Sequence, residues 1–389
     1  MNAPAGPTHV LFVDDQPEVL AGLRTSLHRE RRHFISHFAT DADAASTALA
    51  EHPITVLVTD LKMPSTDGIE VLHRTARDHP DVVRYVLTGD GKDMIMEALP
   101  KAHRCLTKPC NREQLLGALH EAVRFRRLIT DPAIQQAVTG LGSLPSTPAM
   151  YARIMELCAD DGASAEDVAD LISDDTAITA KLLAWGNSAF SGGTPVRSVA
   201  DAITRVGLRP LTQLVVSLEM EGAFEQAPVP PGFGGASTLE FARHVGERAW
   251  STAPGVDRTA ARVAGVLSIG GLLLESTALS DRLADDHERA LAEGRPLVDI
   301  ERERHGVSHA EICGHLLAVW GLPADVATAA ASAWYQPTTF GARPDLAAAV
   351  QIGRISAAAR WSSAAHQATE LDAATQQLLA AGDDIGRAA

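Results

Sequence analysis

Aromatic side chains make up only 4% of the 389 residues, and cysteine occurs four times, without a CxxC pair or a metal-ligand spacing. That scarcity excludes a disulfide framework or zinc ribbon and predicts free thiols in a reducing, cytoplasmic compartment. Positive charge is also in deficit. The 34 Lys and Arg against 49 Asp and Glu leave a net charge of −15. A sequence-independent grip on nucleic acid needs a basic face, so nucleic acid is not an expected partner. The basic cluster Arg124-Phe125-Arg126-Arg127 falls at a predicted helix end, where cations favour the dipole. No apolar run reaches the ~18 residues of a membrane span, so no membrane association is expected. Residues 1–7 read as a short disordered lead, not a signal peptide. At roughly 150 residues per domain, the length predicts two or three domains.

What is present begins with acids at the ends of apolar runs. The run at 56–59 ends in Asp60, and a turn-rich segment, Met63-Pro64-Ser65-Thr66-Asp67-Gly68, follows. The run at 9–13 ends in Asp14-Asp15, that at 82–87 in Thr88, and that around 105–107 in Lys108-Pro109. A weaker strand is predicted at 34–39. Helix-spaced apolar residues separate the strands, among them Val19, Leu20, Leu23 and Leu27, then Ile69 and Leu72, then Leu115, Leu116, Leu119 and Val123. The order is (βα)5, an α/β doubly wound parallel sheet. Right-handed crossovers gather all strand C-termini on one edge, where ligands bind in such sheets.

Three carboxylates on one edge repel one another unless a cation sits among them. Oxygen-only ligands suit Mg2+, which keeps several waters and pairs with phosphate. A lysine and a threonine hydroxyl alongside can bind phosphoryl oxygens, and Asp60 would be the nucleophile that becomes an aspartyl phosphate. An Asp after a strand is ordinarily a helix cap or turn acid. Five polar residues in order, each at a strand end, set that reading aside.

On these residues, 8–127 resembles the receiver domain of two-component response regulators. The resemblance implies that Asp15 and Asp60 ligate Mg2+ directly with the backbone carbonyl of Lys62, and Asp14 through water. It further implies that Thr88 and Lys108 bind the phosphoryl group, and that a histidine kinase or phosphotransfer protein donates it. One position departs from the family. Three residues before the lysine many receivers carry Tyr or Phe, and here it is Cys105, expected to be a small buried packing residue.

Residues 128–145 read as a linker, broken by Asp131-Pro132 and ending in the turn-rich 140–148. Beyond it the patterns are helical, with long helices expected at 238–253, 257–275, 281–293, 308–320 and 323–334. Stretches such as Leu144-Pro145-Ser146-Thr147-Pro148 and the segment from His309 to Pro323 make 146–337 resemble the all-α HDOD domain, a relative of the HD-type metal-dependent phosphohydrolases. Residues 338–389 read as further helices, expected to pack on that domain or to form a homodimer surface. HD-type chemistry needs a His-Asp pair plus further histidines around a divalent ion. Where relatives read Ala-Gly-Leu-Leu-His-Asp-Ile-Gly, this chain has Ala264-Gly265-Val266-Leu267-Ser268-Ile269-Gly270, which leaves one position missing. Where a His-His pair would follow, it has Trp334-Tyr335. His244 and His309 remain as isolated histidines. His305 and His309 are expected on different elements. The expectation is a regulator that is not an enzyme, signalling to a downstream protein through a catalytically inactive HDOD domain. The alternative is an HD-type (cyclic) nucleotide phosphodiesterase under receiver control.

Overall fold

The computed structural model describes residues 7–63, 68–89, 98, 101–140, 153–154, 157, 164–188, 195–207, 211, 235–251, 257–334 and 344–360. Five parallel strands form one sheet in the order β2-β1-β3-β4-β5. They are β1 (Thr8–Val13), β2 (Phe34–Ala39), β3 (Ile54–Thr59), β4 (Val83–Thr88) and β5 (Arg104–Thr107). Val10 to Val13 and Val56 to Val58 are buried, as expected of strands covered on both faces. Leu11 stands opposite Leu57, Val58 opposite Tyr85, and Val86 opposite Cys105.

The described flanking helices are α1 (Pro17–Leu27), α2 (Ala42–Glu51), α3 (Gly68–Asp78) and α4 (Arg112–Leu128). The caps explain where two of them begin. Asp41 accepts the Ala44 N–H at 2.8 Å to start α2. Asn111 and Gln114 form a reciprocal capping box at the start of α4. Most of the segment between β4 and β5 lies outside the described residues, as do Pro64 to Asp67.

The described residues through Gly140 form one compact unit. Helix α5 (Pro132–Gly140) belongs to it, although its sequence read as linker. The reason is Arg84, an arginine in the middle of a central strand. Its guanidinium donates to the carbonyls of Lys101 (2.7 Å), Val82 (3.0 Å) and Thr139 (2.9 Å). His103 Nδ1 accepts the Arg84 N–H at 2.8 Å, so its Nε2 carries the proton and donates to the same Thr139 carbonyl at 2.9 Å. Burial pulls the Arg84 pKa down to about 10. Three carbonyl partners satisfy this buried cation and tie α5 to β4.

The helices from Ala165 onward form the body of a second unit. They are α6 (Ala165–Ile172), α7 (Thr176–Ser188), α8 (Val199–Val206), α9 (Gly235–Ser251), α10 (Arg258–Leu267), α11 (Gly270–Ala278), α12 (Ser280–Glu293), α13 (Leu297–His305), α14 (His309–Val319), α15 (Ala324–Ser332) and α16 (Pro344–Arg360). The reciprocal cap of Ser164 and Asp167 opens α6. The single helix expected at 257–275 is two. Ser268 turns its backbone N–H and its hydroxyl onto the Gly265 carbonyl, at 3.3 and 2.7 Å, and two glycines follow. Helix α13 carries no strong apolar stripe and was not expected. Leu297 and Ile300 join a buried cluster with Leu272 and Leu283, which holds it in place. Against expectation, the 21 residues Arg258–Ala278 are long and apolar enough to cross a membrane. Of the apolar window in that stretch, 83% is buried inside the protein, which makes it a core element. Of the expected C-terminal helices, residues 361–389 lie outside the described residues, as do most of 147–158 and 210–224.

One surface cluster has a pH consequence. His9 Nδ1 and His37 Nε2 lie 3.0 Å apart, and His52 packs on His37 at 4.2 Å between centroids. One ring donates to the other, so the pair shares a proton when neutral. Burial and the His52 charge both lower the pKa of His9 and of His37. The unfolded chain therefore binds protons first as pH falls. The cluster's contribution is present above the ordinary His value of about 6.5 and lost below it. Urea denaturation should show the first unit less stable at pH 5.5 than at 7.5, with a smaller difference in His37→Gln.

Candidate functional site

The sheet order reverses between β1 and β3, so the ends of these two strands border the crevice where ligands bind in doubly wound folds. Asp14 and Asp15 follow β1, and Asp60 follows β3. The Asp60 N–H donates to the Val13 carbonyl at 2.9 Å, which locks the two strand ends side by side. The three acids each place an oxygen within 4.8 Å of the others. Asp14 and Asp60 are buried.

Lys108 reaches this cluster from the end of β5. Its Nζ lies 2.7 Å from Asp60 Oδ2 and 2.8 Å from Asp14 Oδ2. Burial alone would lower its pKa, but the hydrogen bonds to Asp14 and Asp60 outweigh that and raise it. The Lys108 N–H donates to the Thr88 carbonyl at 2.7 Å, so the β4 and β5 ends are also joined. Thr88 is fully buried at the end of β4. The Lys62 side chain is exposed in the turn two residues past Asp60. The Lys108–Pro109 peptide is cis.

The donor set fits a hard divalent cation. It is all oxygen, it carries three carboxylates against one ammonium, and Asp15 Oδ1 is buried without a hydrogen-bond partner. A magnesium ion takes such an oxygen and leaves room for water. No acidic fourth ligand stands among the described residues of the cluster.

Cys105 is buried in β5 opposite Val86, a packing residue where many receivers have an aromatic ring. Arg84 and His103 were not expected, because a cation within an apolar strand has no sequence signal pointing to its carbonyl partners.

In the second unit, Gly271 settles the comparison at the His-Asp positions. A Cβ there would lie 1.9 Å from the His309 carbonyl oxygen, so only glycine lets α11 meet the start of α14. Matching Gly271 to the last glycine of Ala-Gly-Leu-Leu-His-Asp-Ile-Gly puts Ser268 and Ile269 at the His and Asp positions. Trp334 donates from its indole N–H to the Ser268 carbonyl at 3.0 Å and stands edge-on to His309 at 4.7 Å.

His305 ends α13 and His309 begins α14, on different helices as expected. Gly306 at φ +74° divides them. His305 meets Asp286 at 2.8 Å. His244 lies 3.9 Å from Glu247. His309 is not isolated. It is fully buried, and its Nδ1 lies 2.7 Å from Glu301 Oε2, with Glu275 beside them. Burial raises the Glu275 carboxyl well above its ordinary range, raises Glu301 to about 8 and lowers His309 to about 4. Sequence reading missed both glutamates. Glu301 sits eight residues before His309, a spacing without helical meaning once Gly306 intervenes.

The fold and the acid crevice define a receiver-type signalling domain, joined to a helical domain. Comparison with known proteins agrees. The model of the response regulator receiver domain matches residues 10–120, and that of the HDOD domain matches residues 144–335. The transcriptional regulatory protein KdpE of Mycobacterium tuberculosis (strain H37Rv) is 34% identical over 119 residues, which cover 30% of this chain and 51% of KdpE. The hydrogenase transcriptional regulatory protein HoxA of Cupriavidus necator is 30% identical over 125 residues, covering 31% of this chain and 25% of HoxA. The chain thus spans about half the length of one curated relative and a quarter of the other. Among solved structures, a fragment of the MmoQ response regulator from Methylococcus capsulatus str. Bath is 27% identical with a TM-score of 0.48, covering 62% of this chain and 90% of the fragment. The chain carries a response regulator receiver domain followed by an HDOD domain.

Gly68 offers a test of the site's scaffold. A Cβ on it would lie 1.9 Å from the Asp60 carbonyl oxygen, a backbone atom that cannot swing away. Gly68→Ala should cost about 1–3 kcal/mol of receiver stability through overpacking, read as a lower urea midpoint. It should also weaken Mg2+ binding measured by calorimetry, because the displaced backbone carries Asp60.

Proposed function

We propose that phosphorylation of Asp60 switches this response regulator, and that its HDOD domain signals by binding a protein, not by hydrolysis. The observation that carries this reading is the bridge of Lys108 between Asp60 and Asp14 at the sheet's switch point, with Asp15 completing the acid cluster. A histidine kinase or phosphotransfer protein would present a phosphohistidine. The Asp60 carboxylate attacks phosphorus, the P–N bond breaks, and the departing imidazole nitrogen takes the electron pair. Lys108 turns from the carboxylates to a phosphoryl oxygen, and the Thr88 hydroxyl donates to another. Asp14, Asp15, Asp60 and the Lys62 carbonyl would hold Mg2+, which would supply positive charge to offset the phosphoryl oxygens. A near-complete shift between two states needs about 5.5 kcal/mol of differential stabilisation. Moving Lys108 and Thr88 changes the ends of β5 and β4. Through Arg84, β4 is already bonded to α5, the last described helix before the HDOD domain.

The non-catalytic reading of the HDOD domain rests on its side chains. Ser268 and Ile269 offer no imidazole or carboxylate where the His-Asp pair would be, and Trp334 fills space beside His309. The receiver-type relatives are regulators, which supports a signalling role. The downstream protein would be met in the cytoplasm, either by one chain or by a homodimer.

Acetyl phosphate with Mg2+ should add one phosphoryl group to the parent protein by intact-mass spectrometry and none to Asp60→Ala. Equal labelling of both proteins would falsify the assignment. Beryllofluoride should change the parent's hydrogen-exchange protection at β4, β5 and α5 and leave the variant unaltered.

A further inference from the structure

We propose that Glu275, Glu301 and His309 form a closed site for one divalent transition-metal ion inside the HDOD domain, set apart from the His-Asp positions. The three residues come from α11, α13 and the first turn of α14, so the site joins three helices that are separate in sequence. Each offers a ligand atom within 4.8 Å of the other two, and all three residues are buried to 1% exposure or less. One imidazole with two carboxylates is a donor set that Zn2+, Mn2+ and Fe2+ accept.

Hydrogen bonding accounts for only part of the cluster, in which the Glu275 and Glu301 carboxyls are bonded to each other. The His309 ring reaches Glu301 Oε2 through Nδ1, and the His309 backbone N–H donates to the same oxygen at 2.9 Å. Glu301 Oε1, Glu275 Oε1 and His309 Nε2 remain buried with no hydrogen-bond partner. Buried acceptors left in this way are costly unless something binds them. The nearest cation, Arg282, stays 3.6 Å from Glu275 and 3.8 Å from Asp286, and Arg304 is engaged with Asp285 and Asp286. Arg354 lies over the Trp334 ring, 5.2 Å from its centroid. Arg282 Nη2 is thus ion-paired with Glu275 Oε1, while Glu301 Oε1 and His309 Nε2 have no hydrogen-bond partner. A dication held by one atom from each of the three side chains would release the protons that otherwise hold the acids neutral.

The enclosure decides the role. A catalytic ion keeps a coordination position open to substrate, whereas a structural ion is sealed. Here the ligands are buried and the Trp334 ring closes on His309. The ion would fasten α11, α13 and α14 together and do no hydrolysis. Ser268 and Ile269, at the positions where relatives carry the pair, are not among its ligands.

The test uses the full chain carrying Asp15→Asn and Asp60→Asn, which removes the receiver acids from the count. After EDTA treatment and reloading with Zn2+ or Mn2+, gel filtration and elemental analysis should find about one ion per chain. Glu275→Gln, close to Glu275 in shape, should reduce retention at least about tenfold, as should His309→Asn, while His305→Asn should keep it. Parent protein that retains no ion, or equal retention in all variants, overturns the proposal. Should the ligand variants not fold, Co2+ loading of the parent decides. Visible d–d bands stronger than those of aqueous Co2+ support the site, and their absence overturns it. Phosphorylation of Asp60 is measured on a different protein with a different readout, so failure here leaves that reading standing.

Discussion

Repulsion among Asp14, Asp15 and Asp60 is the constraint on which the receiver half depends. Three carboxylates with oxygens within 4.8 Å of one another are unfavourable in a partly buried crevice unless positive charge is supplied. In the structure Lys108 supplies it from the neighbouring strand end. The scaffold around the acids is therefore rigid. Asp60 N–H on Val13 O, Lys108 N–H on Thr88 O and the close approach of Gly68 to the Asp60 backbone leave little freedom for the strand ends. Lys108, bonded to both Asp14 and Asp60, is the one cation that bridges these acids among the described contacts.

The helical half solves a different problem with similar residues. Glu275, Glu301 and His309 are sealed from water, so their ordinary charge states are unfavourable there. The receiver acids face a crevice and can exchange partners, but the helical cluster cannot without opening three helices. One arrangement suits switching and the other suits holding. Ser268, Ile269 and Trp334 show the same division, since groups that pack have taken places where chemistry would need ligands.

Arg84 links β4 to α5. A buried cation in a central strand would be a liability, yet three carbonyls satisfy it, one of them on α5. The strand that ends in Thr88 thus holds the helix through which the chain leaves the receiver unit. This bond network gives a change at the strand end a short covalent and hydrogen-bonded route to α5.

Much of this was legible in order along the chain. The alternation of apolar runs and helical stripes determined a five-stranded parallel sheet, because side-chain period and strand length are local properties. The identity of the strand-end residues determined which groups would share one edge, because right-handed crossovers leave a single outcome. The loss of the His-Asp pair was also plain from residue types alone. Tertiary structure decided the rest, for reasons that no local pattern carries. The partners of Arg84 are carbonyls, which every residue has. The helix break at Ser268 depends on where Gly271 must meet His309. Glu275 and Glu301 look like ordinary helix residues until folding places them beside that histidine, because burial is set by what packs around a side chain and not by the side chain itself.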